Sequence, residues 1–493
     1  MTTHFLTDGH CDLDEIPCHE PGEFRAAVIA ACKNGSRLVA LPVLEDSGRR
    51  LVAILAHDPT HGVRVLAMTM PADGHYPALT SELPQAQAFE REVAEEHGLV
   101  PEGHPWLKPL RRHADLESPG APDEHPFFRV EGAGVHEVAV GPVHAGIIEP
   151  GHFRFQCYGE TVHSLEIQLG YQRRGAEKLL LASPPARRLA IAESVAGDTT
   201  IGHGLAHVTV LEKLAAIEAP VAAHVLRAVA LELERIACHT GDLGAMCGDV
   251  GYQPGAAWYG RLRGDFLNLL MELSGNRFGR GLLVPGGVRF DLPSEEHDGF
   301  LARFEAAALD FERIADVIFD APSVVSRFER TGSLSKSMAE DLGLVGPVAR
   351  ACGADRDARS DHPEGIYRTS PVPVVLRETG DVMARAEVRR EEAGNSATFL
   401  RTQLRALSDG PLSVAFPARL RPSALAVAMV EGWRGEIVHV ATTTCEGQLT
   451  SYKIVDPSFH NWFGLAMALR GNQISDFPLC NKSFNLSYAG HDL

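Results

Sequence analysis

Two histidines with the spacing of metal ligands are the first candidates for chemistry in this sequence. His203 and His207 lie four residues apart, so a helix would place both on one face, with a spacing that suits zinc. The helical zinc pattern also needs a glutamate directly after the first histidine, and Gly204 stands there instead. A catalytic zinc site at this pair is therefore not favoured.

Cysteines and histidines near the N-terminus form a second group, in which we expect at most adventitious metal binding by a flexible tail: His4, His10, Cys11, Cys18 and His19. The chain has nine cysteines, widely scattered and without a Cys-x-x-Cys pair. This usage is typical of free thiols in a reducing compartment. It lacks the grouped ligands of an iron–sulfur cluster. No glycine-rich phosphate loop follows a strand, so direct nucleotide binding is not supported.

Composition and charge exclude several classes of protein. The 493 residues are 45% hydrophobic and 22% charged, which is ordinary for a globular chain with large cores. The formal net charge of -18 argues against a nucleic-acid binder. No apolar run approaches the roughly 20 residues of a membrane-spanning helix, and the N-terminus lacks the layout of a secretory signal. We expect a protein of the cytoplasm, peripheral if it works at a membrane.

The pattern of elements predicts an α+β chain in two blocks. A flexible tail, 1–21, precedes a small α+β domain, 22–115, with helices at 24–33 and 85–97 and a hairpin formed by 36–44 and 50–56. The Pro-, Gly- and acid-rich stretch 116–128 is typical of a linker. Residues 129–493 are expected to be mainly helical, with small β-sheets at the start and the end. The predicted strands are 138–143, 153–158, 165–169, 436–442 and 449–455, and the helices are 183–217, 220–239, 258–278, 295–317, 335–342, 381–407 and 459–469.

The first block carries a motif over residues 89–107. It begins with Phe89-Glu90-Arg91-Glu92 on an acidic helix, which His97 and Gly98 end, and continues into the turn Gly103-His104-Pro105-Trp106-Leu107. A solvated helix face would explain the acidic residues without any further role. The string nevertheless resembles the signature of the 30-kDa subunit of respiratory complex I, whose role is to support the large subunit and attach it to its neighbours.

The second block carries many motifs in a fixed order, over 141–154, 170–179, 234–246, 285–288, 379–382, 430–436 and 476–493. Together they resemble the family of complex I 49-kDa subunits and of nickel–iron large subunits from energy-converting, membrane-bound hydrogenases. The resemblance covers about residues 130–493. Fusion to a 30-kDa-like domain resembles the large subunits of formate-hydrogenlyase-type and hydrogenase-4-type complexes.

Four cysteines that hold the metal in the hydrogenases of this family are missing. The first pair, in a Cys-Gly-x-Cys segment followed by a histidine, corresponds to Ala196 and Thr199, with His203 at the histidine. The late Asp-Pro-Cys-x-x-Cys segment has Ser458 and Asn461 instead. Because thiolates are what bind such a soft metal pair, we expect no metal on this chain and set an active nickel–iron hydrogenase aside.

Two charged residues of the family pattern remain. Arg434 stands where the family has an arginine beside the metal, and Glu177 lies in Arg174-Gly175-Ala176-Glu177. Both are explained by a buried ion-pair network that stabilises a former cavity. The alternative is that a retained arginine and carboxylate move protons or sense charge in a cleft of low dielectric.

The resemblance to 49-kDa subunits implies a quinone site. His152 falls at the family's quinone-binding histidine and Asp242 at its aspartate partner, while the partner tyrosine falls on Gly197 and is lost. A His–Asp pair can still bind and protonate a polar head group. His144 and His203 are the other candidates to line this former metal cavity. A histidine satisfied within its loop is an equally good explanation of His152.

The resemblance implies a peripheral-arm subunit on the cytoplasmic face of the membrane, in a complex I-like, ion-translocating oxidoreductase. We expect no cofactor on this chain itself, other than the quinone that the resemblance implies. Electrons, from NADH or another donor, would arrive through partners and pass to a quinone or an unidentified acceptor. The implied partners are a small iron–sulfur subunit with a four-iron cluster, a ferredoxin-like subunit and antiporter-like membrane subunits, but no nucleic acid. The alternative is a non-catalytic scaffold whose cavity is filled by Phe459 and Trp462.

Overall fold

The computed structural model describes residues 4–45, 48–111, 125–146, 148–407 and 409–493. Its strands are β1 His4–Phe5, β2 His10–Asp12, β3 Cys18–His19, β4 Arg37–Ala40, β5 Val43–Glu45, β6 Arg49–His57, β7 Gly62–Thr69, β8 His75–Pro77, β9 Val100–Glu102, β10 Val135–Val140, β11 His152–Tyr158, β12 Thr161–Gln168, β13 Leu283–Val284, β14 Gly287–Val288, β15 Ala424–Gly432, β16 Gly435–Thr443 and β17 Leu449–Val455. Its helices are α1 Pro21–Lys33, α2 Gln87–His97, α3 Ala176–Ala182, α4 Pro185–Ala192, α5 Thr200–Ala215, α6 Val221–Asp249, α7 Gln253–Ser274, α8 Ser294–Phe319, α9 Pro322–Phe328, α10 Lys336–Asp341, α11 Gly346–Ala351, α12 Ala358–Asp361, α13 Val382–Ala406, α14 Pro457–Ala468, α15 Phe477–Phe484 and α16 Tyr488–Asp492. The α+β class is confirmed.

The first block is a sheet in the order β1-β7-β6-β4, with β3 beside β7 and β5 beside β6. Its helices α1 and α2 match the two predicted helices within three residues at each end. The predicted hairpin is present as β5 and β6, antiparallel in register from Val43 and Leu51 to Glu45 and Arg49. Pro42 lies between β4 and β5, where its missing N–H interrupts the pairing.

The expectation of a flexible tail is wrong for the described residues 4–21. β1 and β3 both pair with β7, and β2 pairs with β15 of the second block. The pairing buries Cys11, Leu13 and Ile16. Strands of two or three residues are too short to show an alternating pattern, which is why the sequence did not reveal them. Most of the predicted linker, residues 116–124, lies outside the described residues.

The second block starts with the antiparallel sheet β10-β11-β12 and continues into a helical bundle. α6, α7, α8 and α13 pack together around one apolar core. The prediction of one helix over 183–217 is wrong, because the chain leaves α4 at Ala192 and re-enters a helix, α5, only at Thr200. The break lets the Glu234 carboxyl accept the N–H groups of Ile201 (2.7 Å) and Gly202 (3.1 Å) at the start of α5.

α6 runs ten residues past its predicted end. Gly241 and Gly244, inside the added part of the helix, are places of close helix packing. A Cβ at Gly241 would lie 2.8 Å from the Arg263 side chain, and one at Gly244 would lie 2.9 Å from Cβ of Tyr259. Glycine is therefore needed inside this helix for the approach of α7.

The last sheet, ordered β17-β16-β15-β2, connects the two blocks. Leu425, Val427 and Met429 of β15 join the core of the first block. Ala424, Ala426 and Ala428, on the opposite face, join the core under α5. β15 was not predicted, since a strand buried on both faces has no polar–apolar alternation. No helix in the described part of the chain is long and apolar enough to cross a membrane.

Candidate functional site

The four positions of the missing cysteines lie at two neighbouring helix starts. Ala196 and Thr199 belong to the turn that leads into α5, and Ser458 and Asn461 belong to the first turns of α14. All four are buried. Asp456 caps α14, because its carboxylate accepts the N–H of Ser458 at 2.7 Å.

The three polar replacements are satisfied by the protein. Ser458 Oγ accepts the N–H of Ser487 at 2.8 Å, and the Asn461 amide exchanges two 3.0 Å hydrogen bonds with the backbone of Val345. Thr199 Oγ1 accepts from Arg434 at 3.1 Å. With no thiolate at any of the four positions, the donor set does not fit a nickel–iron centre. Over the described ranges, no three His, Cys, Asp or Glu side chains are grouped to hold a metal ion.

An ion pair now links the elements around this position. Arg434, in the turn between β15 and β16, donates to both carboxylate oxygens of Asp198, at 2.6 and 2.9 Å. Its Nε donates to the backbone oxygen of Asn485 at 2.6 Å, and its guanidinium lies 3.9 Å from the ring centroid of Trp433. The Arg434 side chain is buried, whereas the Asp198 side chain is 33% exposed. Water can therefore reach the carboxylate side of the pair.

Electrostatics hold this pair ionised. Burial raises the pKa of Asp198, but the charge and hydrogen bonds of Arg434 outweigh it and lower the pKa below its usual range. The same contact raises the pKa of Arg434 against the effect of burial. Sequence reasoning identified Arg434 and missed Asp198. An acidic residue between the two replaced cysteine positions was the available signal.

Glu149 is a second carboxyl in the field of this pair. It lies half-buried just before β11 and accepts the N–H of Tyr488 at 3.3 Å. Burial raises its pKa, which Arg434 opposes and Asp198 reinforces. Glu149 therefore lies near a fixed cation and holds its proton more tightly than a free carboxyl does. It was also missed as a site residue.

The two histidines of the first hairpin are bound locally. His152, at the start of β11, is buried, with Nδ1 3.1 Å from the Gly141 oxygen and Nε2 accepting from Arg154 at 3.3 Å. His144 Nε2 lies 2.9 Å from the backbone oxygen of Gly151. These contacts are those of histidines that shape the loop before β11.

Asp242 does not form the expected pair with His152. One carboxylate oxygen of Asp242, on α6, accepts from Arg389 at 2.9 Å, and the other accepts from the Asn485 amide at 2.6 Å. Both oxygens are therefore engaged by other donors. Since the backbone oxygen of Asn485 in turn accepts from Arg434, Asp242 is connected to Arg434 instead.

Glu177 lies in a separate ion-pair network. Its carboxylate accepts from Lys453 Nζ at 3.0 Å and from the N–H of Ile454 at 2.8 Å. Lys453 also pairs with Glu92 at 2.6 Å, and Glu92 pairs with Arg111. Glu177 lines a cavity of about 450 Å³ between the blocks. The structure brings Glu177 to the contact between the blocks, not to Arg434.

The two helical histidines have different partners. His203 Nε2 lies 2.9 Å from Asp456 Oδ2, and its Nδ1 lies 3.2 Å from Nε2 of His439. His207 Nδ1 lies 2.7 Å from the hydroxyl of Tyr452. They do not converge on one point, so the zinc-compatible spacing on α5 does not make a zinc site.

This fold, and the arginine retained beside four positions that lack thiolates, define a class of protein. The class is that of large subunits of the complex I and membrane-bound hydrogenase type, here without the metal ligands. The sequence matches the family model "Respiratory-chain NADH dehydrogenase, 49 Kd subunit" over residues 249–424 and the 30 Kd subunit model over residues 32–127. The chain belongs to this family of 49-kDa subunits and group 4 hydrogenase large subunits. The resemblance seen in its motifs is confirmed.

Its relatives include formate hydrogenlyase subunit 5 of Escherichia coli K12, 30% identical over 85% of this chain and 77% of the relative. The carbon monoxide-induced hydrogenase of Rhodospirillum rubrum is 30% identical over 71% of this chain and 97% of its own length. An NADH-quinone oxidoreductase component from Clostridium beijerinckii is 29% identical over 68% of this chain and 91% of the relative. A solved chain of the membrane-bound sulfane sulfur reductase, an archaeal respiratory membrane complex, has the same fold, with a TM-score of 0.68 at 23% identity, over 73% of this chain and 99% of that one.

Proposed function

We propose that this chain is the peripheral large subunit of a membrane-bound, complex I-like oxidoreductase, and that its metal-free site reduces a quinone or another small acceptor. The observation that supports this most is the Arg434–Asp198 pair, which stands at the former metal position and is open to solvent on the Asp198 side. Electrons come from a four-iron cluster on a small partner subunit. A ferredoxin-like subunit and antiporter-like membrane subunits complete an ion-translocating assembly on the cytoplasmic face.

The site residues suit the charge changes of such a reaction. A two-electron acceptor takes up two electrons from the partner's cluster and two protons, and becomes the reduced, protonated product. Arg434 would stabilise the negative charge that each electron brings before a proton follows. Glu149 would deliver a proton, since burial raises its pKa.

Asp242 and His152 receive different roles in this proposal. Asp242 acts as a positioning residue, because it holds the Asn485 amide while the Asn485 backbone oxygen holds Arg434. His152 is buried and bonded within its loop, so it would act by positioning the hairpin beside the acceptor. Glu177, paired with Lys453, stabilises the contact between the two blocks. It also contributes a negative charge to the cavity that it lines there.

The test is purification of the complex from native membranes through a tag on this chain. The expected preparation contains iron–sulfur and antiporter-like subunits and transfers electrons from reduced viologen to a short-chain quinone. We expect Glu149→Gln and His152→Ala to lower this rate at least about tenfold. The matched control is Glu329→Gln, because Glu329 is exposed and far along the chain from the site segments.

A scaffold without catalysis is the second candidate. It is favoured by the satisfied hydrogen bonds of Ser458 and Asn461 and by the burial of Phe459 and Trp462 on the same helix. The same subunits purified without electron transfer to any acceptor would support this alternative and exclude the first.

A further inference from the structure

We infer that five buried side chains form a proton path that supplies the metal-free site from the cleft between the two blocks: Asp456, His203, His439, Tyr452 and His207. The inference rests on the proposed function, because a site that reduces an acceptor consumes protons and needs a supply.

The chain of hydrogen bonds is continuous. Asp456 Oδ2 lies 2.9 Å from His203 Nε2, and His203 Nδ1 lies 3.2 Å from His439 Nε2. His439 Nδ1 lies 2.8 Å from the Tyr452 hydroxyl, which lies 2.7 Å from His207 Nδ1. The five residues belong to α5, the strands β16 and β17 under it, and the cap of α14. Three imidazoles in the layer between a helix and an alanine-rich sheet are costly to bury for packing alone.

With Asp456 ionised and each of the three imidazoles neutral, one arrangement of the protons satisfies every bond in this path. His207 Nδ1–H donates to the Tyr452 oxygen, so the hydroxyl proton must donate to His439 Nδ1. His439 Nε2–H then donates to His203 Nδ1, and His203 Nε2–H donates to the Asp456 carboxylate. A neutral imidazole is both a donor and an acceptor, which a relay requires. All donors therefore point toward Asp456.

Their surroundings keep His207 and His439 neutral. Burial lowers the pKa of His207 to about 3, and Arg188 adds to the effect. Burial also lowers the pKa of His439, with further contributions from His203 and His207. Burial raises the pKa of Tyr452 and the charge of Glu177 adds to this, against a smaller opposite effect of Arg188, so the hydroxyl keeps its proton.

One end of the path lies near the Arg434–Asp198 pair and the other at the cleft between the blocks. Asp456 is within the electrostatic reach of both Arg434 and Asp198. Tyr452 lines the cavity of about 450 Å³ between the blocks, together with Glu96, His97 and others. Transfer begins when a proton from this cleft binds the Tyr452 oxygen.

The bonds balance at each step. As the tyrosine oxygen gains the new proton, its own O–H bond breaks toward His439 Nδ1, and the His439 Nε2–H bond breaks toward His203 Nδ1. The His203 Nε2–H bond then breaks as an O–H bond forms on Asp456. The net change is one proton moved from the cleft to Asp456, with His207 orienting the hydroxyl.

The variant Tyr452→Phe in the purified complex tests the path, with Tyr259→Phe as its control. Tyr259 is a buried tyrosine outside the path, whose hydroxyl has no hydrogen-bond partner among the described residues. We expect Tyr452→Phe to reduce the short-chain quinone at least about tenfold more slowly, with an unchanged KM. Transfer to ferricyanide, which takes an electron without a proton, should keep the wild-type rate. Equal rates of quinone reduction in both variants, or equal losses with both acceptors, would overturn the path.

A second measurement does not depend on the acceptor. The infrared band of the Tyr452 hydroxyl, identified by its loss in Tyr452→Phe, should shift within seconds of transfer to D2O, although the residue is buried. A band that resists exchange for hours would overturn the path. If the wild-type complex reduces no acceptor yet this band exchanges rapidly, the proposed function fails and the path stands.

Discussion

At the scale of single residues, the former metal position depends on one arginine and one carboxylate that come from distant segments. Arg434 is buried and retains its charge because Asp198 binds it through both oxygens. Removing one partner of such a pair leaves an uncompensated charge, which costs more than the pair contributes. The site therefore depends on both residues together.

Arg434→Met tests this dependence. We expect it to lower the free energy of unfolding by about 2–3 kcal/mol, less than for a fully buried pair because Asp198 keeps access to water. Urea unfolding of the purified protein gives the value. The double variant Arg434→Met/Asp198→Leu should recover most of the loss. A double variant as unstable as the sum of two single losses would contradict the pairing.

Glu234 gives a pH dependence of known sign. Burial raises its pKa from 4.5 to about 8, against the two N–H groups of α5 that lower it. The folded state therefore holds this proton more tightly than the unfolded state, so the stabilisation is complete below about pH 4.5 and is lost as the pH rises through about 8. Between pH 5 and pH 8.5, the free energy of unfolding of Glu234→Gln should therefore fall less than that of the wild-type protein. Parallel pH curves for the two proteins would be the contrary result.

The sequence predicted part of this site for chemical reasons. The absence of four thiolates and the retention of Arg434 follow from residue types at known positions. Asp198, Glu149, His439 and Tyr452 were not predicted, because each meets its partner through the tertiary fold. The contact between His203 and His439, for example, joins residues 236 positions apart.

At the scale of elements, the turn that carries Arg434 is held by close backbone packing. Gly346, at the start of α11, has a φ of +68°, and a Cβ there would lie 2.1 Å from the backbone oxygen of Arg434. Only glycine suits both the left-handed backbone and this approach.

Gly346→Ala should therefore displace the Arg434 turn. We expect a loss of stability of more than about 2 kcal/mol and slower quinone reduction by the complex. Gly251→Ala is the matched control, since Gly251 has a φ of +74° but no atom within 4 Å of the added Cβ. Gly251→Ala therefore loses stability only through the unfavourable positive φ, without a steric clash. Equal losses in both variants would show that the packing against Arg434 is unimportant.

Helices and strands whose apolar residues recur with a clear period were predicted, and those without such a period were not. α1, α2 and α13 match their predictions closely because apolar spacing and end residues agree. The break between α4 and α5 was missed because the apolar pattern continues across it. β15 and the three N-terminal strands were missed because they are doubly buried or very short.

At the scale of the whole molecule, the two blocks share one core. β15 contributes Leu425, Val427 and Met429 to the core of the first block. Across the same contact, Arg37 of the first block binds Glu436 of β16 at 2.9 and 3.0 Å, with both side chains buried. The blocks were predicted as separate domains, yet the core of the first block is completed by residues of the second.

Coexpression of residues 1–124 and 125–493 as two chains tests this shared core. We expect the two pieces to co-purify without the covalent link, because the interface is apolar and contains a buried ion pair. Glu436→Lys, which places a cation against Arg37, should abolish the association. A second piece that purifies alone as a stable monomer would contradict the shared core.

The central claim is that this member of the family works without the metal and reduces a small acceptor instead of protons. The most direct test gives the purified complex reduced viologen and a short-chain quinone in one vessel and measures hydrogen and quinone together. We expect that quinone is consumed and that no hydrogen forms. Hydrogen evolution at a rate comparable to quinone consumption would contradict it.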